Sequence, residues 1–339
     1  MTTAVIFDCE GPRLSVDEKA FYKDVDPWGF ILFARHCENA DAVRAHCDEL
    51  RECVGRDDAP ILIDQEGGRV ARMKPPVFPA HPAPSVFGEL WKLDPAKARE
   101  AARLNGYLLG RMVSDLGVTV NCVPMLDTPQ MDADPVVIGD RAIAKHPDII
   151  AELGRATMDG SLEGGALPVI KHLPGHGRSL CDSHHDLPRV CASKDDLRHD
   201  DFRPFKVLRD AALGMTAHIV YEAFDPARPA TLSPLIINDI IRGEIGFDGL
   251  LFTDDLKMKA LGGALAERIS GAYDAGCDVA LNCNFSMAEK RESAKALRPL
   301  EGRAATRAAQ ALAQLGPVDR GDTAEAYERL NALIKPALA

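Results

Sequence analysis

Gly249-Leu250-Leu251-Phe252-Thr253-Asp254-Asp255 is a short apolar run closed by two carboxylates. Its length suits a buried strand and falls well short of a helix. Apolar residues recur every three or four positions on either side of it, at Pro234–Gly243 and Ala264–Ala275, which predicts amphipathic helices there. Ser233-Pro234 is a helix start signal, a serine before a proline at the first helical position. Gly276 falls where the second helix should stop. A strand framed by helices is the repeating unit of a parallel α/β sheet.

The same alternation extends to both ends of the chain. Further strands are expected at Ala4–Phe7, Gly29–Phe33, Pro60–Ile63, Val118–Val123, Leu167–Ile170, Met215–Val220 and Asp278–Asn282. Helical periodicity marks Asp41–Val54, Pro95–Leu116, Pro147–Glu163 and Phe202–Leu213, with Gly214 read as a helix stop. Eight strands with helices between them predict an α/β fold, a single (β/α)8 TIM-type barrel. A doubly wound open sheet would be expected to carry a glycine-rich nucleotide turn after an early strand, and none is present. Residues 1–339 read as one barrel domain, with alanine-, arginine- and leucine-rich C-terminal helices from about residue 302 packed on it. The proline-rich stretch Lys74–Leu93 and the stretch Asp127–His146 read as long irregular loops, which on a compact barrel are often functional.

Composition narrows the partners. The 339 residues are 46% hydrophobic and 27% charged, which is ordinary for a globular protein. A net charge of −11 repels phosphate backbones, so no nucleic-acid partner is expected. No apolar run is long enough to span a membrane, and Asp8 and Glu10 interrupt what would be a secretory signal, so a cytoplasmic protein is expected. A monomer with a small-molecule substrate is a separate expectation. Nine scattered cysteines without a C-x-x-C read as buried hydrophobes in a reducing compartment. His172, His176, His184 and His185 cluster, but without ligand spacing of a known kind no metal is expected.

In a parallel barrel the reactive groups gather at the carboxyl ends of the strands. The third strand ends in Asp64-Gln65-Glu66-Gly67-Gly68-Arg69, the fourth leads to Asp127, the fifth ends in Lys171-His172, the sixth carries His218 and the seventh ends in Asp254-Asp255. A lone aspartate there reads equally well as a helix N-cap; that explanation carries little weight for clusters at successive strand ends. A carboxylate at the seventh tip could attack an anomeric carbon or stabilise an oxocarbenium ion. Adjacent strand residues face opposite ways, so one of Asp254 and Asp255 should look into the pocket while the other caps the next helix; composition does not say which. Asp182 and His184 stand two apart, so in an extended loop the carboxylate could orient the imidazole as an acid/base. The plainer reading is an aspartate that organises a turn beside a solvated histidine.

The ordered set resembles a known family. Ile63-Asp64-Gln65-Glu66-Gly67-Gly68-Arg69-Val70-Ala71-Arg72, Pro124-Met125-Leu126-Asp127, Ile138-Gly139-Asp140-Arg141, Lys171-His172-Leu173-Pro174-Gly175-His176-Gly177, Asp182-Ser183-His184 and Phe252-Thr253-Asp254-Asp255-Leu256-Lys257-Met258 follow one another. Together they are similar to the glycoside hydrolase family 3 β-N-acetylglucosaminidases (β-hexosaminidases) of bacterial peptidoglycan recycling. The resemblance implies a retaining mechanism with Asp254 as nucleophile and His184, assisted by Asp182, as acid/base, with His185 a competitor. It implies sugar binding by Asp64, Arg72, Arg141, Lys171 and His172, no cofactor, and removal of N-acetylglucosamine from N-acetylglucosaminyl-1,6-anhydro-muramic acid, with or without its stem peptide. A histidine acid departs from the two-carboxylate pattern of most glycosidases. Leu173 stands where phenylalanine is common, and Cys181 precedes Asp182. A related β-glycosidase or phosphorylase on the same barrel, and a non-catalytic muropeptide sensor, are the alternatives.

Overall fold

Strands of this chain alternate their side chains between two apolar layers, and the computed structural model shows both; it describes residues 1–130, 138–179, 187–258 and 261–338. Eight parallel strands form one sheet: β1 (Thr3–Phe7), β2 (Pro27–Leu32), β3 (Ile61–Ile63), β4 (Val120–Asn121), β5 (Leu167–Leu173), β6 (Leu213–Thr216), β7 (Leu250–Phe252) and β8 (Ala280–Asn282). They pair in the order β8-β1-β2-β3-β4-β5-β6-β7. A parallel bridge between Phe252 and Val279 joins the two ends, so the sheet is a nearly closed barrel. At least one helix returns the chain between each pair of successive strands, as parallel pairing requires.

The strand period of two sorts the side chains. Ile6, Leu62, Leu167, Val169, Leu250 and Phe252 pack into the barrel interior with Trp28 and Met215. Val5, Phe7, Ile61, Ile63, Ile170 and Leu251 pack outwards against the helices. The helices present matching stripes. In Ala40–Val54 the buried residues include Val43, Cys47 and Leu50; Asn39 caps its start, and Gly55 at φ 65 ends it in a left-handed turn. Beyond β8, helix Gly302–Leu312 sends Ala308 and Ala311 into the interior cluster at the barrel's foot, and Ala324–Ile334 packs on Pro95–Ser114. Among the described residues no helix is long and apolar enough to cross a membrane.

Three expectations need correction. The sixth strand is Leu213–Thr216 rather than Met215–Val220; Val220–Tyr221 pairs instead with Arg189–Val190 outside the barrel. Gly214 therefore stops no helix. It lies inside β6, where a Cβ would fall 2.7 Å from Leu173 and 2.8 Å from Phe247, and the preceding helix already ends at Val207. The apolar Ala211-Ala212-Leu213 had prolonged the helical periodicity past its true end. Finally, Lys74–Leu93 is not irregular throughout, because Ser85–Leu93 is a helix whose Phe87 and Leu90 are buried. The flanking prolines obscured its short apolar stripe.

One buried ion pair ties the ends of the chain together. Lys290 and Glu18 are both buried, and the ammonium lies 2.9 Å from the carboxylate. Glu18 also accepts from the Glu10 and Ser15 amides, closing a capping box on helix Val16–Val25. Removing one partner strands the other charge away from water. Lys290→Met is therefore expected to cost ~3–5 kcal/mol in urea unfolding, and an unchanged midpoint would show that water reaches Glu18.

Candidate active site

The interior parity of the strands continues upward into chemistry. Asp64 follows Leu62 on the inward face of β3, Lys171 follows Leu167 and Val169 on β5, and Asp254 follows Leu250 and Phe252 on β7. All three line one cavity of about 360 Å³ at the carboxyl end of the barrel, together with Arg72, Arg141 and His172. That volume lies within the range of small-molecule sites.

Charges alternate along one wall. The Arg72 guanidinium donates to Asp64 Oδ2 at 2.9 Å. Lys171 Nζ donates to Asp64 Oδ1 at 2.9 Å and meets Glu66 Oε1 at 2.7 Å. Arg141 closes the row with two bonds to Glu66, Nε to Oε2 at 2.9 Å and Nη2 to Oε1 at 2.8 Å. Burial alone would raise both carboxyl groups, but the adjoining cations, Lys171 foremost, hold Asp64 and Glu66 well below the usual carboxylate range. Burial likewise works against the charge on Lys171, and the facing Asp64 and Glu66 overcome it and raise its pKa. Both carboxylates are thus anionic acceptors near neutrality and Lys171 is a fixed cation. Such a row can accept from sugar hydroxyls at one point and donate at the next.

Local sequence builds this wall. Gly67 and Gly68 take positive φ, and a Cβ on Gly67 would meet the Pro82 carbonyl at 2.3 Å. The turn lets the Glu66 amide bond the Val70 carbonyl, which brings Arg72 back over Asp64. Gln65 locks it, accepting from the Arg72 and Met73 amides and donating to the Met73 carbonyl. Phe33 lies against the guanidiniums of both Arg35 and Arg72, with centroid distances of 4.9 and 5.2 Å. The buried Nε of Arg72 has no partner among the described residues.

Asp127 organises the next wall. It is fully buried, and its Oδ2 lies 2.7 Å from His172 Nδ1 while Oδ1 accepts from the His172 and His176 amides. The carboxylate fixes the proton of His172 on Nδ1 and leaves Nε2 for a ligand. Burial opposes the charge on Asp127, but His172 and His176 keep its pKa low. His176 is itself pushed down to about 4, by burial first and by His172 second. Gly177 lets this loop close on Thr128, whose carbonyl would lie 1.9 Å from a Cβ there.

The two carboxylates after β7 both line the cavity and differ in what holds them, and neither caps the next described helix, which starts at Leu265. Asp254 continues the inward face, and its Oδ1 accepts from the Asp255 amide at 2.8 Å. Asp255 turns to the backbone, accepting from the Lys257 and Cys283 amides at 3.0 and 3.1 Å. Burial, with Asp254 and Asp8 nearby, lifts its carboxyl to about 7. Both residues line the cavity with Lys171 and Arg141; it is the pair of amide bonds on Asp255 Oδ1 that commits that carboxylate to the backbone.

Of the residues singled out from sequence, Asp64, Arg72, Arg141, Lys171, His172 and Asp254 meet in this cavity. Asp182, His184 and His185 lie outside the described residues. Glu66 and Asp127 had stood inside the quoted motifs without a role of their own. Their signal was an acidic residue shortly after the carboxyl end of a barrel strand.

Comparison with known proteins follows the same lines. A model of the glycosyl hydrolase family 3 N-terminal domain matches residues 13–312. A β-hexosaminidase of Alkalilimnicola ehrlichii is 38% identical over 279 residues, 81% of this chain and 79% of its own. A β-hexosaminidase of Methylococcus capsulatus is 36% identical over 336 residues, 97% of each chain. The crystal structure of NagZ from Neisseria gonorrhoeae in complex with N-trifluoroacetyl-D-glucosamine superposes with a TM-score of 0.87 at 29% identity, covering 100% of this chain and 98% of that one.

Proposed function

The chain belongs to glycosyl hydrolase family 3 and is a glycoside hydrolase, and from that premise we propose that it is a retaining exo-β-N-acetylglucosaminidase. The proposed substrate is N-acetylglucosaminyl-1,6-anhydro-muramic acid, with or without its stem peptide, from which the terminal β-1,4-linked sugar is released during peptidoglycan recycling. One observation carries the reading: the Asp254 carboxylate shares a cavity with the Asp64, Lys171 and Arg141 row and is held at Oδ1 by a backbone amide. The β-hexosaminidase relatives and the glucosamine-derivative complex of NagZ support the same sugar.

In this reading His184 protonates the glycosidic oxygen while an Asp254 oxygen attacks C1 and the C1–O bond breaks. Water then attacks C1, His184 takes its proton, and the Asp254 carboxylate leaves. Asp182 orients the imidazole between the two steps. Asp64, Arg72, Arg141, Lys171 and His172 hold the sugar, and no metal or organic cofactor takes part. The protein works as a monomeric, single-domain enzyme in the cytoplasm, on imported fragments.

A fluorinated N-acetylglucosamine-type inactivator should label Asp254, as read by peptide mapping; label on another carboxylate would reject this nucleophile. Product analysis with and without phosphate separates hydrolysis from phosphorolysis. Asp182→Ala is expected to slow turnover by ~10²-fold, the usual worth of a positioned acid/base, and unchanged kinetics would reduce Asp182 to loop support.

A further inference from the structure

His218 is left unexplained by the chemistry above. It stands just past the end of β6, is fully buried, and is not among the residues lining the cavity. Yet its ring reaches the segment that bears the nucleophile. Nε2 lies 3.0 Å from the Asp255 carbonyl oxygen. A carbonyl only accepts, so Nε2 carries a proton. The same residue's amide donates to Asp254 Oδ1. Asp255 is therefore held at its carbonyl by His218 and holds the nucleophile with its N–H.

The other ring nitrogen is equally constrained. Nδ1 lies 2.7 Å from Thr231 Oγ1, and that hydroxyl lies 2.7 Å from Thr216 Oγ1 and 3.0 Å from the Ala217 carbonyl. Thr231 has a single proton to give. With a neutral ring it goes to Nδ1, and the bonds run in one direction from Thr216 through Thr231 and His218 to Asp255. With a cationic ring Nδ1 would itself donate, and the Thr231 proton would turn to Ala217. Burial depresses the His218 pKa, with His172 and Arg268 adding to the effect and Asp254 opposing it, which favours the neutral chain.

We propose that His218 is a positioning residue for the nucleophile, a neutral imidazole that directs its Nε2 proton at the Asp255 carbonyl and acts on Asp254 through the Asp255 backbone. The proposal rests on the reading of Asp254 given above. Neutrality has a chemical purpose. Asp254 loses its charge on forming the glycosyl ester and regains it on hydrolysis. An imidazolium beside it would favour the free carboxylate and resist the attack.

The test is the kinetics of His218→Asn and His218→Gln on a chromogenic β-N-acetylglucosaminide, with 15N-edited spectra of the imidazole nitrogens in the unaltered protein. The longer glutamine amide can return an N–H to the place of Nε2; the asparagine amide falls short. His218→Asn is expected to lose ~10²-fold in kcat from misorientation of the nucleophile, with KM nearly unchanged, and His218→Gln should recover most of the loss. The spectra should show a proton on Nε2 and a bare Nδ1 near neutral pH. A folded, fully active His218→Asn, equal losses in both variants, or a loss confined to KM would each overturn the proposal. So would an Nδ1–H tautomer or a doubly protonated ring, which decides the matter even if the variants fail to fold. Unaltered protein that cleaves no glycoside would instead reject the functional reading, while the spectra would still judge the hydrogen-bond chain.

Discussion

Asp254→Ala is expected to lose at least ~10⁴-fold in turnover of a β-N-acetylglucosaminide, because a group that forms the covalent intermediate has no partial substitute. The other carboxylates of the wall are engaged elsewhere. Asp64 lies between Lys171 and Arg72, and Glu66 between Lys171 and Arg141, with pKa values driven down by those cations. Asp255 is occupied by two backbone amides. None of them can turn to C1 without breaking those bonds. The folded state should hardly suffer, since the substitution shortens one side chain at the rim of a cavity. An external nucleophile such as azide should restore part of the turnover by entering the vacated space, giving a glycosyl azide. Retained hydrolysis in well-folded Asp254→Ala would remove this residue from the mechanism.

Lys171→Met should strike binding and stability together. Lys171 is 2% exposed and is shared by Asp64 and Glu66. Its loss leaves each carboxylate one guanidinium, and Glu66, unlike the partly exposed Asp64, is buried away from water; an uncompensated buried charge typically costs ~3–5 kcal/mol. Because both carboxyl pKa values are depressed in the folded protein, they stabilise it above the unfolded carboxylate range, and that stability fades as pH falls through the folded values. Without Lys171 those folded values rise, so the acid loss of stability should begin at higher pH. Binding of N-acetylglucosamine, followed by calorimetry, should weaken by ~10²-fold, the worth of two charge-assisted bonds lost or misdirected. Adding Glu66→Gln should return part of the stability, since it removes one of the stranded charges. A Lys171→Met protein with ordinary stability and affinity would show that the charge row does not support the site.

The interior cavity reads directly from the strand pattern. At β3, β5 and β7 an inward-facing apolar residue is followed two positions later by Asp64, Lys171 or Asp254, so period-two alternation aims all three at one axis. Period alone did not separate Asp254 from Asp255, which both line the cavity; the amide bonds that hold Asp255 come from a turn and from the neighbouring strand end. It did not locate β6, because Gly214 and the apolar residues before it fit a helix end as readily as a strand. Nor could it give Glu66 and Asp127 their parts, since each acts on partners brought in from another segment: Arg141 stands 75 residues from Glu66, and His172 45 from Asp127.

What the chain of residues determined unaided was the repeating strand–helix unit, the barrel it closes into, and the strand ends where charge would collect. Those follow from periodicities of two and near four, which act between neighbours along the backbone. What only the closed barrel decided was which charges meet. Pairing Lys171 with both acids, seating Asp127 under two histidines and bringing His218 to the Asp255 carbonyl depend on distances across the sheet, set by strand register and loop closure rather than by any local pattern.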